Sequence, residues 1–227
     1  MNYPYLLFDA DDTLFDFPKA SALAFDTLCQ KQHLPNTQAS RQLYHEINQD
    51  LWSAFDRREI SKEELVILRF HRFLSALEVS RDPVQCNRDY LDALGSGVYP
   101  LPHAEEVCRE LVRRGHQLYI ITNAVASVQR TRLKGSPFAD LITAAFISEE
   151  AGAAKPDPAY YQYVFSKIPQ LTTRNCLAIG DSLSSDVLGA NRAGLPCCWF
   201  NPGREAAPKS LRIDYEIQDL RELLQIV

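Results

Sequence analysis

Short, unbroken apolar runs recur along the chain, each flanked by polar loop residues. Tyr5-Leu6-Leu7-Phe8 is the first. After a long gap come Gln117–Thr122, 145–148, 176–179, Cys197–Phe200 and a weaker Tyr215–Ile217. Runs this short, without in-and-out alternation, fit strands covered on both faces, the condition of a parallel sheet. The segments between them carry helix punctuation. Pro102 opens 104–114 and Gly115 stops it, Asp157-Pro158 opens 159–167, and Gly194 with Pro196 closes 186–193. Strands and helices in alternation predict an α/β fold, a doubly wound parallel sheet with its active site at the carboxyl ends of the strands.

The stretch 17–94 breaks that alternation and reads as helix after helix, over 19–32, 38–58, 63–77 and 84–94. Ser61-Lys62-Glu63-Glu64 is a capping box, in which hydroxyl and carboxylate each satisfy a free backbone amide. Asp82-Pro83 starts the last helix in the same idiom as Asp157-Pro158, and Gly95-Ser96-Gly97 returns the chain to the sheet. The expected organisation is a core made of 1–16 and 95–227, with an all-helical insertion, 17–94, following the first strand end and acting as a lid. Residues 203–209 are expected to form a mobile surface loop.

A chain of 227 residues accommodates such a core and insertion, and its 46% apolar and 23% charged residues are ordinary for a soluble globular protein. The net charge of −5 leaves no electrostatic footprint for nucleic acid. Neither a bilayer-spanning apolar stretch nor a basic-then-apolar leader is present, which predicts a cytoplasmic protein with no membrane partner, a monomer or weak homodimer. Six cysteines, at 29, 86, 108, 176, 197 and 198, form no C-x-x-C pair. Reduced, buried thiols are the expected state.

The candidate chemistry lies where the apolar runs end. Tyr5–Phe8 empties into Asp9-Ala10-Asp11-Asp12-Thr13, three carboxylates in four residues. Crowded carboxylates repel one another and lose hydration, so a partly buried cluster calls for a cation or a reacting phosphate. A second cluster, Gly180-Asp181-Ser182-Leu183-Ser184-Ser185-Asp186, again follows an apolar run. Two acidic strand ends in one α/β chain can converge on one magnesium ion and form a metal-dependent phosphoryl-transfer site.

Four spaced motifs together resemble the haloacid dehalogenase-like superfamily over essentially the whole chain. Asp9-Ala10-Asp11-Asp12-Thr13 is similar to its D-x-D-x-T motif, and Thr122-Asn123 after Leu118-Tyr119-Ile120-Ile121 to its second motif. Lys155-Pro156 is similar to the third, and Gly180-Asp181 with Asp186 to the acidic fourth. The helical insertion resembles a C1-type cap. Longer stretches (residues 7–15, 147–152 and 198–201, with Asn48, Leu51-Trp52 and Arg69-Phe70 in the insertion) are similar to the bacterial pyrimidine 5′-nucleotidase branch. Two departures are Ala124, where a Gly often follows Thr-Asn, and Gly135-Ser136-Pro137, where a more regular helix end is usual.

The resemblance implies a role for each motif residue. Asp9 is the nucleophile that forms an aspartyl-phosphate. Asp11 protonates the leaving oxygen and then takes a proton from water, which asks for a raised pKa; a dehalogenase has no task for this second aspartate. Magnesium, replaceable by manganese, is held by Asp9, the backbone carbonyl of Asp11, and Asp181. Asp186 assists the metal, orients Lys155 or caps the following helix. Thr122 donates its hydroxyl to a phosphoryl oxygen, the amide of Asn123 adds a second contact, and Lys155 neutralises the transferring group and Asp9. For substrate binding in the insertion, Trp52 and Phe55 stack on a nucleobase or pack between helices, and Phe17 lines the pocket mouth. Arg69 meets a base carbonyl or forms a salt bridge within the cap. The expected function is magnesium-dependent hydrolysis of a small phosphate monoester, a pyrimidine nucleoside 5′-monophosphate. A sugar phosphatase, a phosphosugar mutase and a non-catalytic regulator of the same fold are the alternatives.

Overall fold

The computed structural model describes residues 3–227 and resolves them into two compact units, the first of residues up to Phe17 with Val98–Val227, the second of Pro18–Gly97. The first unit is a six-stranded sheet. Its strands are β1 (Tyr5–Phe8), β2 (Gln117–Thr122), β3 (Ile142–Ile147), β4 (Cys176–Gly180), β5 (Cys197–Phe200) and β6 (Tyr215–Ile217). Their order is β3-β2-β1-β4-β5-β6, and every neighbouring pair is parallel. The side chains of successive strand residues divide between two cores, as a pleat of period two requires. Leu6, Phe8, Leu118, Ile120, Leu177 and Ile179 belong to one cluster, with Val107, Cys108 and Leu111 of the helix Ala104–Arg113. Leu7, Tyr119, Ile121 and Ala178 belong to the other, with Tyr160, Tyr161 and Val164 of the helix Pro158–Lys167. A sheet buried on both faces is the reason its strands read as continuous apolar runs.

The second unit is all-helical: α1 (Phe17–Gln32, whose first residue belongs to the first unit), α2 (Gln38–Asp56), α3 (Lys62–Ala76) and α4 (Pro83–Ser96). The capping box forms with both bonds, Glu64 N to Ser61 Oγ at 3.1 Å and Ser61 N to Glu64 Oε2 at 2.8 Å. Asp82 caps α4 through Val84 N. In the first unit the remaining helices are α5 (Ala104–Arg113), α6 (Ala126–Gly135), α7 (Ser148–Ala151), α8 (Pro158–Lys167), α9 (Leu188–Ala193) and α10 (Leu223–Ile226). Among the described residues, no helix is long and apolar enough to cross a membrane. All six cysteines are buried free thiols. Residues 203–209 form an irregular, mostly exposed segment whose start is held where Asn201 bonds the Glu205 backbone in both directions.

At the centre of the helical unit, Phe25, Tyr44, Phe70, Phe73 and Tyr90 pack ring against ring. Arg69 is buried among them. Its guanidinium lies 5.0 Å from the Phe70 ring centroid and 4.6 Å from that of Tyr90, and it donates to Asn48 Oδ1 at 3.3 Å and Asn87 Oδ1 at 2.8 Å. Within the helical unit its partners are thus aromatic faces and carboxamides, whereas the salt bridge that was one of its two expected roles would have needed a carboxylate. Arg69→Ala is expected to lower stability by about 2–4 kcal/mol, since it opens a cavity and leaves two buried carboxamide oxygens unsatisfied. A melting curve on the full chain checks this; an unchanged midpoint would show that the guanidinium is dispensable to the helical unit.

Candidate active site

Strand order locates the site. From β1 the chain winds outward through β2 to β3 on one side, while β4, β5 and β6 lie on the other, so β1 and β4 flank the point where the winding reverses. Ligands bind outside the carboxyl ends of such strands. The register pairs Phe8 with both Ile120 and Ile179, so Asp9, the next residue, leaves β1 level with the ends of β2 and β4. Its amide donates to Ile179 O at 2.8 Å. Two sequence-distant acidic clusters are thereby brought together.

Carboxylate oxygens of Asp9, Asp181 and Asp186 lie within 4.8 Å of one another. Lys155, itself buried, reaches the cluster from the loop before α8. Its Nζ donates to Asp9 Oδ1 at 2.5 Å, to Asp186 Oδ1 at 2.6 Å and to Ile121 O at 2.9 Å. Asp186 is therefore bonded to Lys155 while sharing the carboxylate group with Asp9 and Asp181. Its other oxygen accepts from Ser182 N at 3.0 Å, at the start of the π-helical turn Leu183–Val187 that precedes α9. A glycine is required at 180 by this arrangement: a Cβ there would come 2.3 Å from the Asp186 carboxyl carbon. Thr13 Oγ1 donates to Asp181 Oδ1 at 3.0 Å, and the Trp199 indole donates to the Asp181 carbonyl at 2.7 Å, fixing that residue at side chain and backbone alike.

The electrostatics follow from burial. Removal from water pushes the Asp9 carboxyl well above its usual range, reinforced by Asp186 and Asp181 and opposed by Lys155. Asp181 is pushed up to about 8, first by burial and then by the charges of Asp186 and Asp12. Burial by itself would lower the Lys155 amine, but Asp186 and Asp9 outweigh it and hold its pKa above the ordinary value. Once ionised, the three carboxylates outnumber the one ammonium by two charges, and the ligand atoms they offer are all oxygens. That donor set fits a hard divalent cation.

The second motif supports the same centre. The Thr122 hydroxyl accepts from Ala124 N at 3.1 Å, which leaves its own proton to donate. Thr122 N donates to the Tyr160 hydroxyl at 3.1 Å, which donates in turn to Phe146 O at 2.6 Å. The Asn123 carboxamide is engaged with the Lys155 backbone at both ends, Nδ2 to Lys155 O at 2.9 Å and Oδ1 from Lys155 N at 3.0 Å. Asn123 thus positions the lysine loop.

Asp11 lies outside the three-carboxylate group and forms an ion pair with Arg132 of α6. Asp12 adopts a left-handed backbone, φ 60°, and its side chain accepts from Phe17 N at 3.2 Å; burial and then the charge of Asp11 push its carboxyl up to about 6. Phe17, half-buried, opens α1. Trp52 and Phe55, both on α2 and half-buried, meet edge to face at 5.6 Å, with Lys62 Nζ 5.6 Å from the Phe55 centroid. Sequence reasoning missed Arg132, Tyr160 and Trp199. In the structure Val128, Gln129, Arg132 and Leu133 occupy one helical face and are all buried.

A family model described as haloacid dehalogenase-like hydrolase matches residues 6–200. The chain is 36% identical over 225 residues to the HAD-hydrolase YfnB of Bacillus subtilis, covering 99% of this chain and 95% of that protein. It is 32% identical to the pyrimidine 5′-nucleotidase PynA of Streptococcus pneumoniae (99% and 94% covered) and 29% identical to the pyrimidine 5′-nucleotidase YjjG of Escherichia coli (100% and 99% covered). The crystal structure of YfnB bound to magnesium, described as revealing interdomain movement, superposes with a TM-score of 0.94 over 100% of this chain and 99% of that one.

Proposed function

The chain belongs to the haloacid dehalogenase-like hydrolase family, and from that premise we propose that it is a magnesium-dependent phosphatase of pyrimidine nucleoside 5′-monophosphates acting through an aspartyl-phosphate. The observation that carries the reading is the centre itself: Lys155 bonded to Asp9 and Asp186, Asp181 within reach, and a second aspartate two residues after the first. Two relatives named as pyrimidine 5′-nucleotidases support the substrate class.

A phosphate monoester dianion repels nucleophiles, so catalysis rests on positioning and charge compensation. A carboxylate oxygen of Asp9 forms a bond to phosphorus as the bond to the leaving oxygen breaks, and that oxygen takes a proton from Asp11. Water then attacks the phosphoryl group and gives its proton to Asp11, while the bond to Asp9 breaks and restores the carboxylate. Lys155 offsets charge on Asp9 and on the transferring group, and the Thr122 hydroxyl donates to a phosphoryl oxygen. Asp9, the Asp11 carbonyl and Asp181 are the residues to hold magnesium, with Asp186 behind them fixing Lys155. When bound, the ion supplies Lewis-acid charge stabilisation.

The test is a phosphate-release screen with magnesium over pyrimidine and purine monophosphates and sugar phosphates. Highest kcat/KM on pyrimidine nucleotides supports the reading; preference for a sugar phosphate would move the protein to the alternative class, and no release from any ester would end the phosphatase reading. Trp52 and Phe55 are the proposed base contacts. Replacing either by Ala is expected to remove about 1–3 kcal/mol of stacking from nucleotide turnover while sparing p-nitrophenyl phosphate. Equal losses on both esters, with a lowered melting temperature, would make them packing residues only.

A further inference from the structure

Arg132 is fully buried, whereas the carboxylate it pairs with, Asp11, keeps 23% of its side-chain surface exposed. The pair therefore has an inner, cationic end and an outer, acidic end. Contacts from two elements hold the inner end. Arg132 Nη1 donates to Asp11 Oδ1 and, at 3.2 Å, to Gln129 Oε1 one turn earlier on α6. The guanidinium also lies 4.7 Å from the centroid of the Phe15 ring. Phe15 belongs to the same loop as Asp11: its carbonyl accepts from Asp12 N at 2.8 Å, and its own amide donates to Ala10 O at 2.9 Å. The ring and the carboxylate addressed by Arg132 are thus tied into one tight turn after β1.

A buried guanidinium is costly unless compensated. A bond to one carboxylate oxygen also restricts the side-chain torsions of a residue that would otherwise sample several rotamers. Asp9, Asp181 and Asp186 share a group that Asp11 does not join. A carboxylate that must exchange a proton with a leaving group has to stay in one place.

We propose that Arg132 is a positioning residue for proton transfer: it engages Oδ1 of Asp11 from the protein side and reserves Oδ2 for the leaving oxygen and then for the hydrolytic water. The inference rests on the phosphatase reading above. Gln129 and Phe15 hold the guanidinium in register, so the unit is a three-residue support reaching from α6 to the loop of the first motif.

The leaving group provides the test. The p-nitrophenolate ion departs without a proton, whereas the alkoxide of uridine 5′-monophosphate or glycerol 2-phosphate needs one. In Arg132→Ala, kcat/KM for the alkyl esters is expected to fall about 100-fold further than for p-nitrophenyl phosphate, the lower end of what general acid catalysis contributes. With water activation impaired as well, the variant should give a burst of p-nitrophenol near one equivalent per enzyme. Arg132→Lys, which keeps the charge and most of the volume, should recover part of the alkyl-ester rate; should the Ala variant not fold, the Lys variant carries the same ester comparison. Uniform losses on all esters without a burst would overturn the inference and make Arg132 a packing residue. Wild-type protein inert on every ester would instead remove the phosphatase reading on which it rests.

Discussion

Asp9→Asn is expected to lose at least about 10⁴-fold in kcat on every phosphate ester while remaining folded, as removal of a catalytic nucleophile does elsewhere. The carboxamide is isosteric, and its oxygen still accepts from Lys155 Nζ, which in the native protein lies 2.5 Å from Asp9 Oδ1. The backbone bond from residue 9 to Ile179 O is untouched. What is lost is the anionic oxygen that, in the proposed reaction, forms the covalent intermediate. The variant should also melt no lower than the metal-free wild type. Burial and the neighbouring Asp186 and Asp181 charges already disfavour an ionised Asp9, and removing that charge relieves the crowding. Phosphate release by purified variant and intact-mass detection of a phosphorylated wild-type intermediate are the measurements. Turnover within tenfold of wild type would move the nucleophile away from Asp9.

The framework of this site was legible because its causes are local. Strand ends carry acidic residues, and apolar runs buried on both faces cannot be mistaken for surface strands, so β1, β2, β4, β5 and β6 were read close to their observed bounds. β3 begins at Ile142, three residues before the expected 145, because this edge strand is only partly covered at its start, where Thr143 is exposed, and so carries no continuous apolar run there. The reading of one helix over 186–193 missed that Leu183–Val187 is a π-helical turn leading into α9. The cause is the Asp186 carboxylate folding back onto Ser182 N and Lys155, a tertiary demand that local propensity does not contain. Of α6 only the end was read, at Gly135-Ser136-Pro137. Gln129, Arg130, Arg132 and Lys134 make its sequence look like a solvated loop, although Gln129 and Arg132 are buried. Arg69 shows the same limit: a cation beside an aromatic residue reads as a ligand contact or a salt-bridge partner until three-dimensional packing supplies Tyr90, Asn48 and Asn87. Pairings such as Arg132 with Asp11 join residues more than a hundred positions apart, and no single-chain periodicity carries that information.

Removing the metal is expected to abolish activity and to leave a protein whose stability depends on pH in an unusual direction. In the folded, metal-free chain Asp181 titrates at about 8, against about 4 for an unfolded aspartate. Between those values the folded state binds more protons than the unfolded one. The stabilisation is therefore complete below pH about 4 and is lost as pH rises through about 8. Asp9, raised by burial, and Asp12, raised to about 6, act in the same sense. The strongly depressed carboxyls, Glu110 and Asp219 at about 2, hold their stabilising partners throughout this window and do not reverse the sign. A divalent cation competes with protons for the same oxygens, so magnesium should raise the melting temperature more at pH about 8 than at pH about 5.5. In chelator the protein should melt higher at the lower pH, and that difference should shrink or invert once magnesium is added. Manganese should restore activity. Calcium, with its larger and more flexible oxygen shell, should inhibit by engaging the Asp9 carboxylate in two-point coordination. Thermal melts at both pH values with chelator or with each cation, beside phosphate release, measure all of this. A magnesium shift independent of pH would separate Asp181 from the cation site, and full activity of verified metal-free protein would remove the metal from the mechanism.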